Sequence, residues 1–211
     1  MTQKRNRFVL AVVVAMTALG AAAYTNTTTT LTNESSIAQD SPTIAQAELV
    51  DNTGLVVPAV VHVAPGADEA QAQRVVLTAQ LLYTFWNTGD SSYLDRAVTP
   101  FFRDNTLPIG RPQGPDGPRA ASALFRAAVP DLSCQLADLY VTGDTFTARL
   151  VFEGHFTGTY NGIQGKGQKV DFNAIDIQQT GADTRITQDW HLEDNLTFLQ
   201  QAGLVTVAGT K

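Results

Sequence analysis

The side chains best suited to chemistry lie in the second half of the chain, on runs that alternate polar and apolar: Arg149, Glu153, His155, Asp176, Asp189 and His191. Their spacing fits neither a metal centre nor an activated nucleophile. There is no His-Glu-x-x-His and no cysteine pair, and the three histidines are far apart in sequence, so no metal is expected. A Gly-x-Ser-x-Gly elbow is also absent. Acid–base work remains. A carboxylate in apolar surroundings has its charged form disfavoured, so its pKa climbs toward neutrality and it can take and return a proton. Removing a proton beside a carbonyl, followed by aldol ring closure or isomerisation, needs little more than that group and donors for the enolate. No cofactor is expected for such chemistry. Asp189 is the first candidate, because strand alternation places it on one face with His191 while Trp190 points the other way. The rival reading is structural, an ion pair of Asp189 with Arg149 or Arg185.

The element that carries Asp189 is Thr184–Gly203 (TRITQDWHLEDNLTFLQQAG). Apolar Ile186, Trp190 and Leu192 alternate with Arg185, Thr187, Asp189 and His191, which predicts a strand with Trp190 in the core and His191 and Glu193 near the surface. Asp194 then caps a helix whose face carries Leu196, Leu199 and Ala202 and which stops at Gly203. Three strands are expected upstream, over Asp131–Val141, Thr145–Gly158 and Lys169–Gln179, with a turn at Gly143-Asp144 and a glycine-rich link over Tyr160–Gly167. The link is not a phosphate cradle, since no strand–turn–helix follows it. The second strand puts Phe146, Ala148, Leu150, Phe152 and Phe156 on one face and Arg149, Val151, Glu153 and His155 on the other. Cys134, between Leu132 and Leu136, reads as a buried and inert thiol.

Helices come first. Asp68-Glu69-Ala70-Gln71 opens a long one in which Val75, Ala79, Leu82 and Trp86 share a face, ending at Asn87-Thr88-Gly89. Asp90 caps a short one stopped before Pro100. A loop rich in proline and glycine spans Leu107–Pro118 and reads as a pocket lid, followed by a third helix over Arg119–Val129. Before them, Glu48–Val63 is an extended lead-in, and its His62 is read as a packed residue. Helices, then an antiparallel meander, then a closing helix give an α+β fold with a curved sheet wrapped around helices.

The ending Asp-Trp-x-x-x-Asp-Asn-Leu-x-x-Leu-Gln-Gln-x-Gly at Asp189–Gly203 resembles the SnoaL-like polyketide (ester) cyclases, within the nuclear-transport-factor-2-like group of cone-shaped α+β folds. Phe85–Asp90 with Pro100-Phe101, and Pro130-Asp131-Leu132, resemble the same family, so that the likeness runs over Leu77–Val205. It implies that Asp189 is the acid/base and that His155, in Gly154-His155-Phe156-Thr157-Gly158, and Asp176 belong to the pocket. Arg149 and His155 would then bind or polarise the substrate oxygen. Tyr83, Trp86 and Trp190 would line the site around a small hydrophobic carbonyl compound. The same fold hosts ligand carriers, so a binding module without turnover is the alternative. A third is an association domain, since such sheets often pair back to back as homodimers.

Composition narrows the partners. Lys4, Arg5 and Arg7 precede an apolar run from Phe8 to Ala23, the pattern of a secretory signal over residues 1–23. Removing those three from the fourteen basic residues leaves eleven against twenty acidic, a net charge of −9. Such a domain is a poor partner for nucleic acid or anionic membrane. The run is short for a membrane span, so membrane contact enters only through an uncleaved leader, and a secreted or periplasmic location is expected. Residues 24–47, rich in Thr, Ser and Asn, read as a disordered tether. Residues 48–211 form the domain.

Overall fold

The computed structural model describes residues 46–206, so the expected leader and nearly all of the expected tether lie outside the described residues. Gln46 and Ala47, assigned to the tether, instead open a one-turn helix, α1 (Gln46–Leu49). The elements that follow are β1 (Val60–Val63), α2 (Glu69–Thr88), α3 (Ser91–Ala97), β2 (Val98–Asp104), α4 (Asp116–Ala128), β3 (Ser133–Thr142) and β4 (Thr145–Phe156). The chain continues through β5 (Thr159–Tyr160), β6 (Ile163–Gln164), β7 (Gln168–Thr180), β8 (Ile186–Glu193) and α5 (Asn195–Gln201). Among the described residues no helix is long and apolar enough to cross a membrane.

Local chemistry accounts for the helix ends. The Asp68 carboxylate accepts from Gln71 N–H, and Gly89, at φ 79°, ends α2 in the left-handed region that glycine enters without a Cβ clash. Asp90 and Asp194 cap α3 and α5 in the same way, each accepting a backbone N–H two or three residues on. Along α2, Val75, Val76, Ala79 and Tyr83 are fully buried. Gln80 is buried as well and uses its amide to pin the lead-in, donating to Asp51 O and Val56 O and accepting from Asp51 N–H.

The fold is α+β, with a curved, open sheet packed against helices. Its strand order is β1-β3-β4-β7-β8-β2. The expected meander forms the middle, but the sheet is mixed rather than antiparallel throughout. β1 joins β3 and β2 joins β8 in parallel at the two edges. β2 has no counterpart in the sequence reading, because Thr99-Pro100-Phe101-Phe102 lacks clean alternation and proline discourages strand assignment. An edge position tolerates it. Between sheet and helices, Phe152 of β4, Phe172 of β7, Phe125 of α4 and Phe198 of α5 make a continuous aromatic cluster, with ring centroids 5.3 to 6.0 Å apart.

A bulge in β8 decides which side chains face inward. Thr180 pairs with Ile186, but Gln179 pairs with Gln188, so Thr187 is an extra residue and its hydroxyl donates to Gln179 O. The phase of the strand inverts there. Ile186, Asp189 and His191 are buried, whereas Trp190 is 37% and Leu192 74% exposed on the outer face. This corrects the expected inward placement of Trp190 and the expected exposure of His191.

The bulge makes a testable contrast. Truncating Ile186 to Ala should cost about 2–5 kcal/mol, as for other buried aliphatic residues. Leu192→Ala should stay within about 0.5 kcal/mol, as surface changes do. Urea unfolding measures both, and equal losses would contradict the inverted phase.

Candidate active site

The inner face of β7 and β8 lines a cleft between sheet and helices. Its floor is polar, with Asp176 and Gln178 from β7 and Asp189, His191 and Glu193 from β8, while β2 adds Asp104 at the edge. The walls are apolar, chiefly Leu82, Trp86, Phe102, Phe125, Leu150 and Phe172. The cleft holds about 710 Å³ of unfilled space counted out to its open mouth, but only about 40 Å³ is deep enough to take the centre of a water molecule. Arg111, from the loop before α4, stands at the lining as well.

Pairing across the sheet sets the geometry. Asp176 lies opposite His191, and Gln178 lies opposite Asp189. Gln178 Nε2 donates to Asp189 Oδ1 at 2.7 Å, and the Tyr83 hydroxyl donates to Asp176 Oδ2 at 3.2 Å. His191 is held at both ring nitrogens, Nδ1 by Glu193 Oε1 at 2.8 Å and Nε2 by Asp104 Oδ2 at 3.0 Å. Asp104 is fixed in turn. Its other oxygen accepts Thr106 N–H, while the Gln113 side chain bonds both its backbone N–H and its carbonyl.

These contacts decide protonation. Burial raises Asp176 to about 7, opposed in part by the charge of His191. Burial also raises Asp189, to about 8, and the negative charge of Asp176 adds to the rise. For His191 burial works against the imidazolium, but the Glu193 hydrogen bond and charge overcome it and lift the ring to about 10. His191 is thus a cation locked between two carboxylates, with no ring nitrogen left for a substrate. Burial drives the Tyr83 hydroxyl well above its ordinary value, so it remains a donor. Asp104, Asp189 and His191 bring one donor atom each within 4.8 Å of one another, a spacing that a cation accepts. The proton shared by His191 and Asp104 fills that position, and no ion is assigned to it.

Of the residues singled out from sequence, Asp189, Asp176 and Trp86 line the cleft and Tyr83 bonds to Asp176, so the fold brings these together. Three lie elsewhere. Arg149 sits on the outer face of β4, paired with Asp138 at 2.7 Å. His155 is on the same outer face, where Asp131 accepts its backbone N–H and lies 2.8 Å from its Nδ1. Neither can polarise a substrate oxygen in the cleft, and the alternation of β4 is the reason. Trp190 is turned out by the bulge. The rival ion pairs are not formed, since Arg185 is paired with Asp183. Asp104, Gln178 and Glu193 were missed. Gln178 and Glu193 follow Asp176 and His191 by two residues, and that spacing places each pair on one face. Asp104 carried no local signal, because only the parallel pairing of β2 with β8 brings it to His191.

The chain thus combines an open α+β sheet with a buried pair of carboxyls under an apolar cleft. The profile of the SnoaL-like polyketide cyclases matches residues 76–202, and the chain belongs to that family. A candidate polyketide cyclase from Bacillus cereus ATCC 10987 is 42% identical, with a TM-score of 0.65 over 73% of this chain and 97% of that one. TsrD from Streptomyces laurentii is 30% identical, with a TM-score of 0.56 over 66% and 99%. Wild-type IdmH, a candidate polyketide cyclase from Streptomyces antibioticus, is 25% identical, with a TM-score of 0.54 over 60% and 96%. No curated protein matches the chain at a significant level.

The protonation states make stability depend on pH. Asp176 and Asp189 keep a proton in the folded state that the unfolded chain releases near the ordinary aspartate value of 3.8. The folded state therefore binds more protons across the window from about 4 to about 8, and stability falls as pH rises through it. His191 extends the same sign from 6.5 to about 10. Urea midpoints should drop from about pH 5 to about pH 9, and Asp189→Asn should flatten the lower part of the drop. A midpoint that climbs with pH would refute these assignments.

Proposed function

We propose that the protein is a cofactor-free cyclase or isomerase that works on a small hydrophobic carbonyl compound, with Asp189 as acid and base. Membership of the SnoaL-like polyketide cyclases supports the cyclase or isomerase class. The observation that supports the mechanism is a carboxyl 8% exposed, set in an apolar cleft and raised to about 8. Its ionised form takes a proton from the carbon beside the carbonyl, and the C–H electron pair moves onto the carbonyl oxygen. In a cyclisation the enolate carbon then bonds to a second carbonyl carbon of the same molecule. The new alkoxide recovers the proton from Asp189. Asp176, while protonated, is a further donor for the developing negative charge. His191 keeps the floor ordered and lends positive charge without exchanging its protons.

The apolar walls also favour a second reading, a module that holds a hydrophobic ligand without turning it over. The pattern of Lys4 to Ala23 supports export as part of either reading, tested by fractionating the host cells.

Exchange of carbon-bound hydrogen separates the two readings. In D2O the protein should wash the α-protons out of 2-tetralone, a small apolar ketone, at a rate that rises with pH and levels off above about 8. Asp189→Asn should lower that rate by roughly a hundredfold or more, the scale of a lost general base. His155→Ala and Arg149→Ala should leave it unchanged. Tight binding of the ketone without exchange would select the carrier reading instead.

A further inference from the structure

Gln178 is 2% exposed and lies directly across the strand pair from Asp189, which accepts from its Nε2 at 2.7 Å. The other end of the amide is unmatched, for Oε1 is sealed from solvent and has no hydrogen-bond partner. A buried carbonyl oxygen left without a donor is destabilising, so a polar atom in that state calls for an explanation. Asp189 supplies one, because a carboxyl that gains a proton stops being an acceptor at one oxygen and becomes a donor. Half a turn about the last side-chain bond of glutamine exchanges Oε1 and Nε2 within nearly the same volume, and that torsion is soft. No extra room is needed.

We propose that Gln178 is a positioning residue for Asp189, with an amide that turns over with each proton transfer. It donates through Nε2 to the Asp189 carboxylate and accepts through Oε1 from the Asp189 acid. The inference rests on the acid/base reading of Asp189. The balance is simple: one proton moves from substrate carbon to Asp189, one electron pair moves to the carbonyl oxygen, and the amide exchanges ends. When the proton returns, the amide turns back. The charged and titratable groups around it are Tyr83 from α2, Asp104 from β2, Asp176 on its own strand, His191 and Glu193 from β8, and Arg111 from the loop before α4. Of these, His191 is already saturated at both nitrogens, and the Tyr83 hydroxyl is spent on Asp176. The Gln178 amide, neutral and carrying both a donor and an acceptor, can match Asp189 in either protonation state.

Isotope-labelled full chain, titrated by NMR, tests the turnover. Above the Asp189 midpoint, a coupling through the hydrogen bond should join Gln178 Nε2 to Asp189 Cγ. Below the midpoint it should vanish, and Gln178 Cδ should move downfield as Oε1 gains a donor. Asp189→Asn should abolish both pH dependences. A coupling that persists at every pH, or an unmoved Cδ, overturns the turnover. The positioning role is tested by the pH profile of hydrogen exchange from 2-tetralone: Gln178→Leu and Gln178→Met each remove a donor to the Asp189 carboxylate and should each raise the midpoint of that profile. An unmoved midpoint in both variants overturns the positioning role. An Asp189 midpoint in the ordinary carboxylate range, with Gln178 still turning over at that midpoint, would count against the acid/base reading alone.

Discussion

A charge taken out of water must find partners, and the interior of this protein is arranged around that constraint. His191 is 9% exposed, and its imidazolium is acceptable there only because Glu193 and Asp104 each accept one of its two N–H groups. Asp104 has to be brought from a distant part of the chain for this. The parallel edge strand β2, the Thr106 and Gln113 contacts that fix it, and the bulge that turns His191 inward all serve one buried ion triad. Removing a single partner would leave an uncompensated charge in the core, which is far costlier than loss of the pair as a whole.

The same low-polarity environment that makes the triad exacting makes Asp189 useful. Asp176 and Asp189 have no cation to pair with, since the positive charge of His191 is spent on Asp104 and Glu193. Burial therefore pushes protons onto the two carboxyls rather than stripping them off. Two carboxyls on one floor, one bonded to a tyrosine hydroxyl and the other to an amide, give a site that can hold a proton near neutral pH and pass it on. Around it the phenylalanine cluster supplies shape and dryness but no chemistry.

Much of the fold was legible because helix caps and strand alternation are local. Asp68, Asp90 and Asp194 announce helix starts through hydrogen bonds to N–H groups two or three residues away. The phenylalanines of β4 announce its buried face by their period of two. The site was legible in part for the same reason. Asp189 and His191 share a face however the strand is set, and so do Asp176 and Gln178. What failed was the choice of which face looks inward on β8. Ile186, Trp190 and Leu192 have the same parity and read as one apolar stripe, but the bulge at Thr187 puts only the first of them in the core.

The sequence by itself therefore determined the element order, the caps, the α+β class and the pairs of residues that travel together on a strand, because each depends on interactions spanning a few residues. The tertiary structure alone decided that Arg149 and His155 face away from the cleft and that Trp190 is outside. It alone brought Asp104, remote in sequence, to His191. Those outcomes follow from which strand pairs with which and in what register. That choice is made by the burial of whole faces, and no single segment contains it.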